Sequence, residues 1–172
     1  RLLAPPLWPL GLDAVPASVS SRSVPPRSIE HLEPVLRHGG LEIRGCALPH
    51  PNGCTAWRVD EPATGASFVF ATDMEWGAAG PARREAIGAM CHDVDLLAMD
   101  GHFDADELAE RRGWGHSSLA ECAELALEAG TRRLLAIHTA PANDYDRLAG
   151  LDRPPASLMP SATPARQGMT EG

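Results

Sequence analysis

Polar and hydrophobic residues alternate in three short runs in the first half of the chain. The runs cover residues 41–50, 54–61 and 66–73, and the turn-forming linkers PNG and PATG separate them. The alternation in TAWRV and the β-branched and aromatic residues of SFVFAT are typical of strands. Pro, Asn and Gly in the linkers are typical of turns. This part of the chain is therefore predicted to be a block of strands.

After residue 80 the pattern changes to helical spacing interrupted by short apolar runs. The predicted helices cover 81–94, 104–112 and 117–130, and the predicted buried strands cover 95–101 and 132–138. Ser118 and Glu121 have the spacing of a capping box, and Gly130 marks a helix end. Asp104 is a plausible cap for the short middle helix. Helices that alternate with short apolar strands predict a layered α/β fold.

The two ends of the chain lack this patterning. Residues 1–34 are rich in Pro and Ser, and we expect an irregular segment. Its apolar residues expected against the core are Leu2, Leu3, Leu7, Trp8 and Leu10. Residues 35–150 form the predicted domain, and residues 151–172 are predicted to be a disordered tail. Because the chain opens with Arg1 rather than Met, we expect a processed N-terminus or a piece of a longer protein.

Composition limits the classes of function. The chain has 172 residues, which suffice for one domain with a core. A formal net charge of −8 argues against a general nucleic-acid-binding surface, although a bound metal can still attract a phosphate-bearing substrate. The four cysteines form no CxxC pair, which favours free thiols and a cytoplasmic location. No apolar run approaches the roughly 20 residues of a membrane span, so we expect no membrane partner.

Side chains that can bind a metal or transfer a proton lie at the ends of four apolar runs. They are His50, Asp73, Asp100 and His138, and His116 stands just before a predicted helix in GWGHSS. Ligand sites of layered α/β proteins collect at strand ends. Imidazoles and carboxylates together suit zinc, manganese or iron. Each residue alone is more often a turn or hydrogen-bonded residue, so the hypothesis depends on the joint pattern.

Other chemistries have less support in the sequence. GxGxxG after a strand and GxxxxGK[ST] are both absent, as is the GxSxG motif of hydrolases with a serine nucleophile. The remaining histidines have no comparable placement, and we expect them on the surface. They are His31, His38, His92 and His102.

The order of five segments resembles the second half of metallo-β-lactamase-fold hydrolases, in the phosphodiesterase and tRNA-processing ribonuclease-like branch. The segments are HPNG (50–53), ATD (71–73), DLLAMDG (95–101), GWGHSS (113–118) and AGTRRLLAIH (129–138). The similarity extends from about His50 to Asp146. It implies that residues 35–150 are a partial metallo-hydrolase domain, the C-terminal half of a four-layer αββα sandwich.

The resemblance also implies a role for each candidate residue. His50, Asp73 and His138 resemble metal ligands, with Asp73 bridging two ions. The complete domain would hold two Zn²⁺ ions, with Mn²⁺ or Fe as alternatives. His116 resembles the histidine that donates a proton to the leaving group or steadies the substrate phosphate. Asp100 matches an acidic position beside it and is expected to be its partner.

Two departures from the family pattern stand out. The HxHxDH cluster that supplies most metal ligands in this family is absent from the chain. His138 is followed by Thr139 and Ala140, where close relatives often carry a second histidine and an aspartate. The chain therefore contains three expected ligands of a two-metal set.

Two functions remain open from the sequence. The first is a metal-dependent hydrolase of a small-molecule or nucleotide-type phosphoester. The alternative is a non-catalytic ligand-binding or interaction module on a degenerate or truncated version of the fold. An HxHxDH segment upstream of Arg1 would favour the enzyme. Since half of such a fold leaves a sheet face and an edge unpaired, we also expect homo-oligomers of the isolated chain.

Overall fold

Seven strands form one mixed sheet in the part of the chain that the computed structural model describes, which is residues 16, 18, 32–140 and 162–164. The strands are β1 Pro34–His38, β2 Leu41–Leu48, β3 Cys54–Glu61, β4 Ala66–Ala71, β5 Leu96–Asp100, β6 Leu134–Ile137 and β7 Ala162–Pro164. A 3₁₀ turn covers Trp76–Ala78, and the helices are α1 Pro81–Cys91, α2 Ala105–Glu110 and α3 Leu119–Glu128. The architecture is therefore mixed α/β.

The strands lie in the sheet in chain order. Neighbours from β1 to β4 pair antiparallel, and neighbours from β4 to β7 pair in parallel. Because β2 and β4 are both antiparallel to β3, they run in the same direction. The carboxyl ends of β2, β4, β5 and β6 therefore meet at one edge of the sheet.

Helices α1 and α3 pack against the sheet and enclose the core. Val69 and Met99 of the sheet are fully buried against side chains such as Ile87 and Leu125 of the helices. Strand residues alternate between the two faces. Phe70 consequently points to the opposite face, where it is 41% exposed. The core therefore lies on one side of the sheet.

The predicted helix signals occur in the structure. Ser118 and Glu121 form the capping box of α3, and Asp104 forms a second one with Glu107 at the start of α2. Helix α1 ends at Cys91, earlier than predicted. The reason is that Asp93 adopts a left-handed φ of 50° and its amide donates to the carbonyl of Ala129.

Two strands were not expected from the sequence. Strand β1 pairs with β2 across the glycine turn of residues 39 and 40, so the segment next to the expected boundary at residue 34 is part of the sheet. Strand β7 lies within residues 151–172, where we expected a disordered tail, and pairs with β6. The rest of that tail lies outside the described residues. So do Leu2, Leu3, Leu7, Trp8 and Leu10, which we expected against the core.

None of the helices in the described part of the chain combines the length and the apolar character needed to cross a membrane.

Candidate functional site

The shared edge of the sheet carries the candidate residues. Asp73 follows β4, Asp100 ends β5, His138 follows β6, and His50 follows β2 by two residues. Asp73 and His138 have φ values of 51° and 57°, which non-glycine residues rarely adopt. Such conformations cost about 1–3 kcal/mol each and cluster at functional sites. Two described residues away from the site, Leu32 and Asp93, share this geometry, so it supports a site only together with the side chains.

Asp73 and His138 form a pair at the open side of this edge. His138 Nδ1 lies 2.8 Å from Asp73 Oδ1, and 41% and 37% of the two side chains remain exposed. The hydroxyl of Thr72 is 3.4 Å from the same ring nitrogen. A carboxylate oxygen and an imidazole nitrogen are thus held together where a ligand can reach them.

Asp100 and His116 form a second, buried pair. The carboxylate of Asp100 is fully buried, and its Oδ2 lies 2.7 Å from His116 Nδ1. The amide of Met74 donates to Oδ2, and the amide of His102 donates to Oδ1. Burial raises the pKa of Asp100 to about 7, although the hydrogen bond from Met74 opposes that rise. Both oxygens are occupied by protein donors, which suits Asp100 to orienting His116.

His102 was expected on the surface, and that expectation is wrong. Its ring is half-buried and stacks on His116, with ring centroids 4.5 Å apart. Its Nδ1 donates to the carbonyl of His138 over 2.6 Å. Burial lowers the pKa of His102 and so favours the neutral imidazole, the form that binds metals. The signal that could have located it is its position two residues after the end of β5.

His50 lies beside the Asp100–His116 pair. Its ring centroid is 5.9 Å from that of His116, and its Nδ1 accepts from the amide of Asn52. Gly115 makes this packing possible, because a Cβ there would lie 2.2 Å from Cδ2 of His50. The loop that carries His116 and the turn that carries His50 therefore meet in direct contact.

Two glycines with similar backbone conformations provide a test of the contact between Gly115 and His50. Gly113 and Gly115 have φ values of 90° and 93°, so alanine at either site incurs similar backbone strain, about 1–2 kcal/mol. A Cβ at Gly113 meets nothing within 4 Å. We expect Gly115→Ala to lower the free energy of unfolding by at least about 1 kcal/mol more than Gly113→Ala, because His50 must move. Denaturant titration measures the difference, and equal losses would contradict the packing described.

The side chains at this edge fit a divalent metal. One ligand atom from each of Asp100, His102, His116 and His138 lies within 4.8 Å of the others. Two ligands with bonds of about 2 Å to one ion are separated by up to about 4 Å, so a small movement would let several of these groups share an ion. Asp73 adjoins the cluster through its contact with His138. Mixed nitrogen and oxygen donors suit zinc, manganese and iron.

Comparison with known proteins identifies the family. Residues 15–139, more than half of the chain, match the family described as Beta-lactamase superfamily domain. The chain belongs to this family. The metallo-β-lactamase-type fold predicted from the sequence is thereby confirmed, and the fold implies divalent metal ions.

Individual beta-lactamase superfamily relatives extend the comparison. The chain is 29% identical over 130 residues to Ribonuclease Z of Salinispora arenicola, covering 76% of this chain and 37% of the relative. It is 36% identical over 80 residues to Ribonuclease Z of Gemmatimonas aurantiaca, covering 46% of this chain and 25% of the relative. The chain thus spans 25% to 37% of the length of these two curated relatives.

A solved structure shows the same fold. Human tRNase Z, short form, superposes with a TM-score of 0.62 at 18% identity, covering 79% of this chain and 44% of that one. The partial coverage agrees with the prediction that this chain is one part of the superfamily domain. The expectation of no general nucleic-acid surface gains no support, because these relatives are named Ribonuclease Z and tRNase Z.

Proposed function

We propose that this beta-lactamase superfamily chain is part of a metal-dependent hydrolase of small-molecule or nucleotide-type phosphoesters. The observation that carries the proposal is the buried Asp100–His116 pair, placed against further histidines and Asp73 at the carboxyl edge of the sheet. The ribonuclease Z relatives support a phosphodiester as the bond that is cleaved.

Zn²⁺ is the cofactor that we propose, with Mn²⁺ or Fe as alternatives. His50, Asp73 and His138 are the proposed ligands, and the position of His102 adds it as a candidate. Bound metal would supply Lewis-acid activation of water and of the substrate phosphate. The exposed fractions of Asp73 and His138 favour them over Asp100 as ligands, since Asp100 is fully buried and already accepts hydrogen bonds through both oxygens.

His116 is the proposed general acid. Its Nδ1 is held by Asp100, which fixes the orientation of the ring. The second ring nitrogen, Nε2, would then give its proton to the leaving oxygen as the P–O bond breaks. Without that proton an alkoxide would have to leave, which is slow for a poor leaving group. Asp100 therefore acts on the reaction through the orientation of His116.

The remaining proposals concern surroundings and partners. All four cysteines lie in the described part of the chain and are free thiols, which supports a reducing compartment such as the cytoplasm.

Phe70 is partly exposed on the face of the sheet opposite the core, which supports self-association of the isolated chain. Sedimentation of residues 1–172 tests this expectation, which a compact monomer would contradict.

Metal analysis and phosphodiesterase assays test the function in the protein at its full natural length. We expect bound divalent metal after purification, hydrolysis of bis(p-nitrophenyl) phosphate, and loss of that activity after chelation with recovery when Zn²⁺ or Mn²⁺ is added. A folded protein that binds no divalent metal and cleaves no phosphodiester would overturn the proposal. That outcome would favour the non-catalytic binding module instead.

A further inference from the structure

Glu75 is a buried carboxylate that has no role in the proposed reaction. Only 4% of the residue is exposed. Its oxygens accept three hydrogen bonds from backbone amides: Gly113 donates to Oε1 at 3.0 Å and to Oε2 at 2.9 Å, and Gly115 donates to Oε2 at 3.0 Å. A buried carboxylate is costly unless such donors satisfy it. The Arg112 guanidinium of the same loop also lies 4.0 Å from Oε1. The partners of the Glu75 carboxylate therefore belong to one loop.

That loop carries the proposed general acid. His116 directly follows Gly115, and the two amides that Glu75 binds flank Trp114. Glycines 113 and 115 both have φ near 90°, and their amides, on either side of Trp114, turn toward one acceptor. The carboxylate of Glu75 thus binds the backbone immediately before His116, the proposed general acid.

Glu75 is itself held in place on the other side of the site. Its amide donates to the carbonyl of Pro49 over 2.9 Å, next to His50. The hydroxyl of Ser117 donates to the carbonyl of Met74 and accepts from the amide of Trp76. The segment 74–76, which begins directly after Asp73, is therefore joined to the loop before and after His116. A displacement of either one would shift the other.

We propose that Glu75 is a positioning residue that holds the loop 112–117 so that His116 keeps its 2.7 Å contact with Asp100. The inference rests on the proposed role of His116 as general acid. A carboxylate is required because two acceptor oxygens face the amide of Gly113. Glutamine offers one acceptor oxygen, and its NH₂ group would oppose a backbone N–H. The conservative variant should therefore restore only part of the effect.

Turnover of Glu75 variants of the full-length protein tests the proposal. We expect Glu75→Ala to lower kcat on an unactivated phosphodiester such as thymidylyl-thymidine by roughly 100-fold, the scale of a displacement of about 1 Å. The loss should be small on bis(p-nitrophenyl) phosphate, whose leaving group needs no proton. Metal content should not change, and Glu75→Gln should fall between wild type and Glu75→Ala.

A double-mutant cycle separates positioning from general destabilisation. In a His116→Ala background, Glu75→Ala should cause little further loss, because both changes remove the same proton donation. A fully additive loss would overturn the proposal, as would loss of metal in parallel with activity. Unchanged kcat in folded Glu75→Ala or Glu75→Gln would overturn it too.

Asp95→Ala supplies the matched control. Asp95 also accepts a backbone amide, from Ser67 at 2.8 Å, but it precedes β5 and lies at the opposite end of that strand from Asp100. We expect this variant to keep the wild-type kcat on both substrates. A loss equal to that of Glu75→Ala would show a general effect of removing a carboxylate and overturn the proposal.

Hydrogen exchange supplies a readout that does not depend on activity. The amides of Gly113 and Gly115 should exchange faster in Glu75→Gln, while the amide of Leu125 in the core of α3 keeps its protection. Unchanged protection of both glycines would overturn the inference. If wild type is inactive on both substrates but the exchange changes as expected, the proposed function fails while the hold of Glu75 on the loop stands.

Discussion

Replacing His116 with alanine in the full-length protein should lower turnover of an unactivated phosphodiester by roughly 100- to 10,000-fold, the range typical of lost general acid catalysis. Metal content should stay near that of wild type. The reason is that the proposed role of His116 is toward the leaving group, with its ring oriented by the fully buried Asp100. The loss should shrink on bis(p-nitrophenyl) phosphate, because p-nitrophenolate leaves without a proton.

This prediction is tested by kinetics on the two substrates and by metal analysis with mass spectrometry. Asp100→Asn is the companion variant, since it keeps the size of the side chain but weakens the hydrogen bond that orients the His116 ring. The competing outcome is that His116 binds the metal, because it belongs to the cluster whose ligand atoms lie within 4.8 Å of one another. If His116→Ala removes as much metal as His138→Ala does, His116 is a ligand and the proposed role is wrong.

The second large effect is expected from His138→Ala, which should lower metal content and activity together. His138 Nδ1 and Asp73 Oδ1 face each other at 2.8 Å and remain partly exposed, so both can turn toward one ion. Asp73→Ala should behave in the same way, because Asp73 is the other proposed metal ligand of this pair. Activity should fall on activated and unactivated substrates alike, since bound metal would supply the activation of water that hydrolysis of either substrate needs.

His92→Ala is the control for loss of a histidine. His92 follows α1, its side chain is 69% exposed, and it pairs with the neighbouring Asp93 away from the site edge. It should keep both metal and activity. Full metal content in folded His138→Ala and Asp73→Ala would remove these two residues from the ligand set.

Sequence patterns located the parts of the fold whose signals are local. The capping boxes of α2 and α3 depend on residues three apart, and the apolar runs of β5 and β6 are continuous in the chain. Strand β1 lacks such a signal and depends on its pairing with β2 across the glycine turn. Strand β7 has only three residues and forms on β6, so its composition alone does not identify it.

In the candidate site, too, some residues have a local sequence signal and others depend on contacts distant in the chain. Four of the residues proposed from the sequence end or follow apolar runs, and parallel strands bring such ends to one edge. His102 lies two residues after β5 and outside its apolar run, so the sequence reasoning did not select it, and the structure placed it in the cluster. Glu75 was missed for a similar reason, because its partners are amides of a loop 38 and 40 residues away.

By itself the sequence determined the α/β class, the family resemblance and which side chains stand at strand ends, because periodicity, caps and motif order are properties of neighbouring residues. Tertiary structure decided which of those side chains touch. The stacking of His102 on His116 and the hydrogen bonds from the glycine loop to Glu75 join residues far apart in the chain, and neither was expected from the sequence. Such contacts depend on sheet order and loop packing, which are set by the free energy of the whole fold rather than by any local pattern.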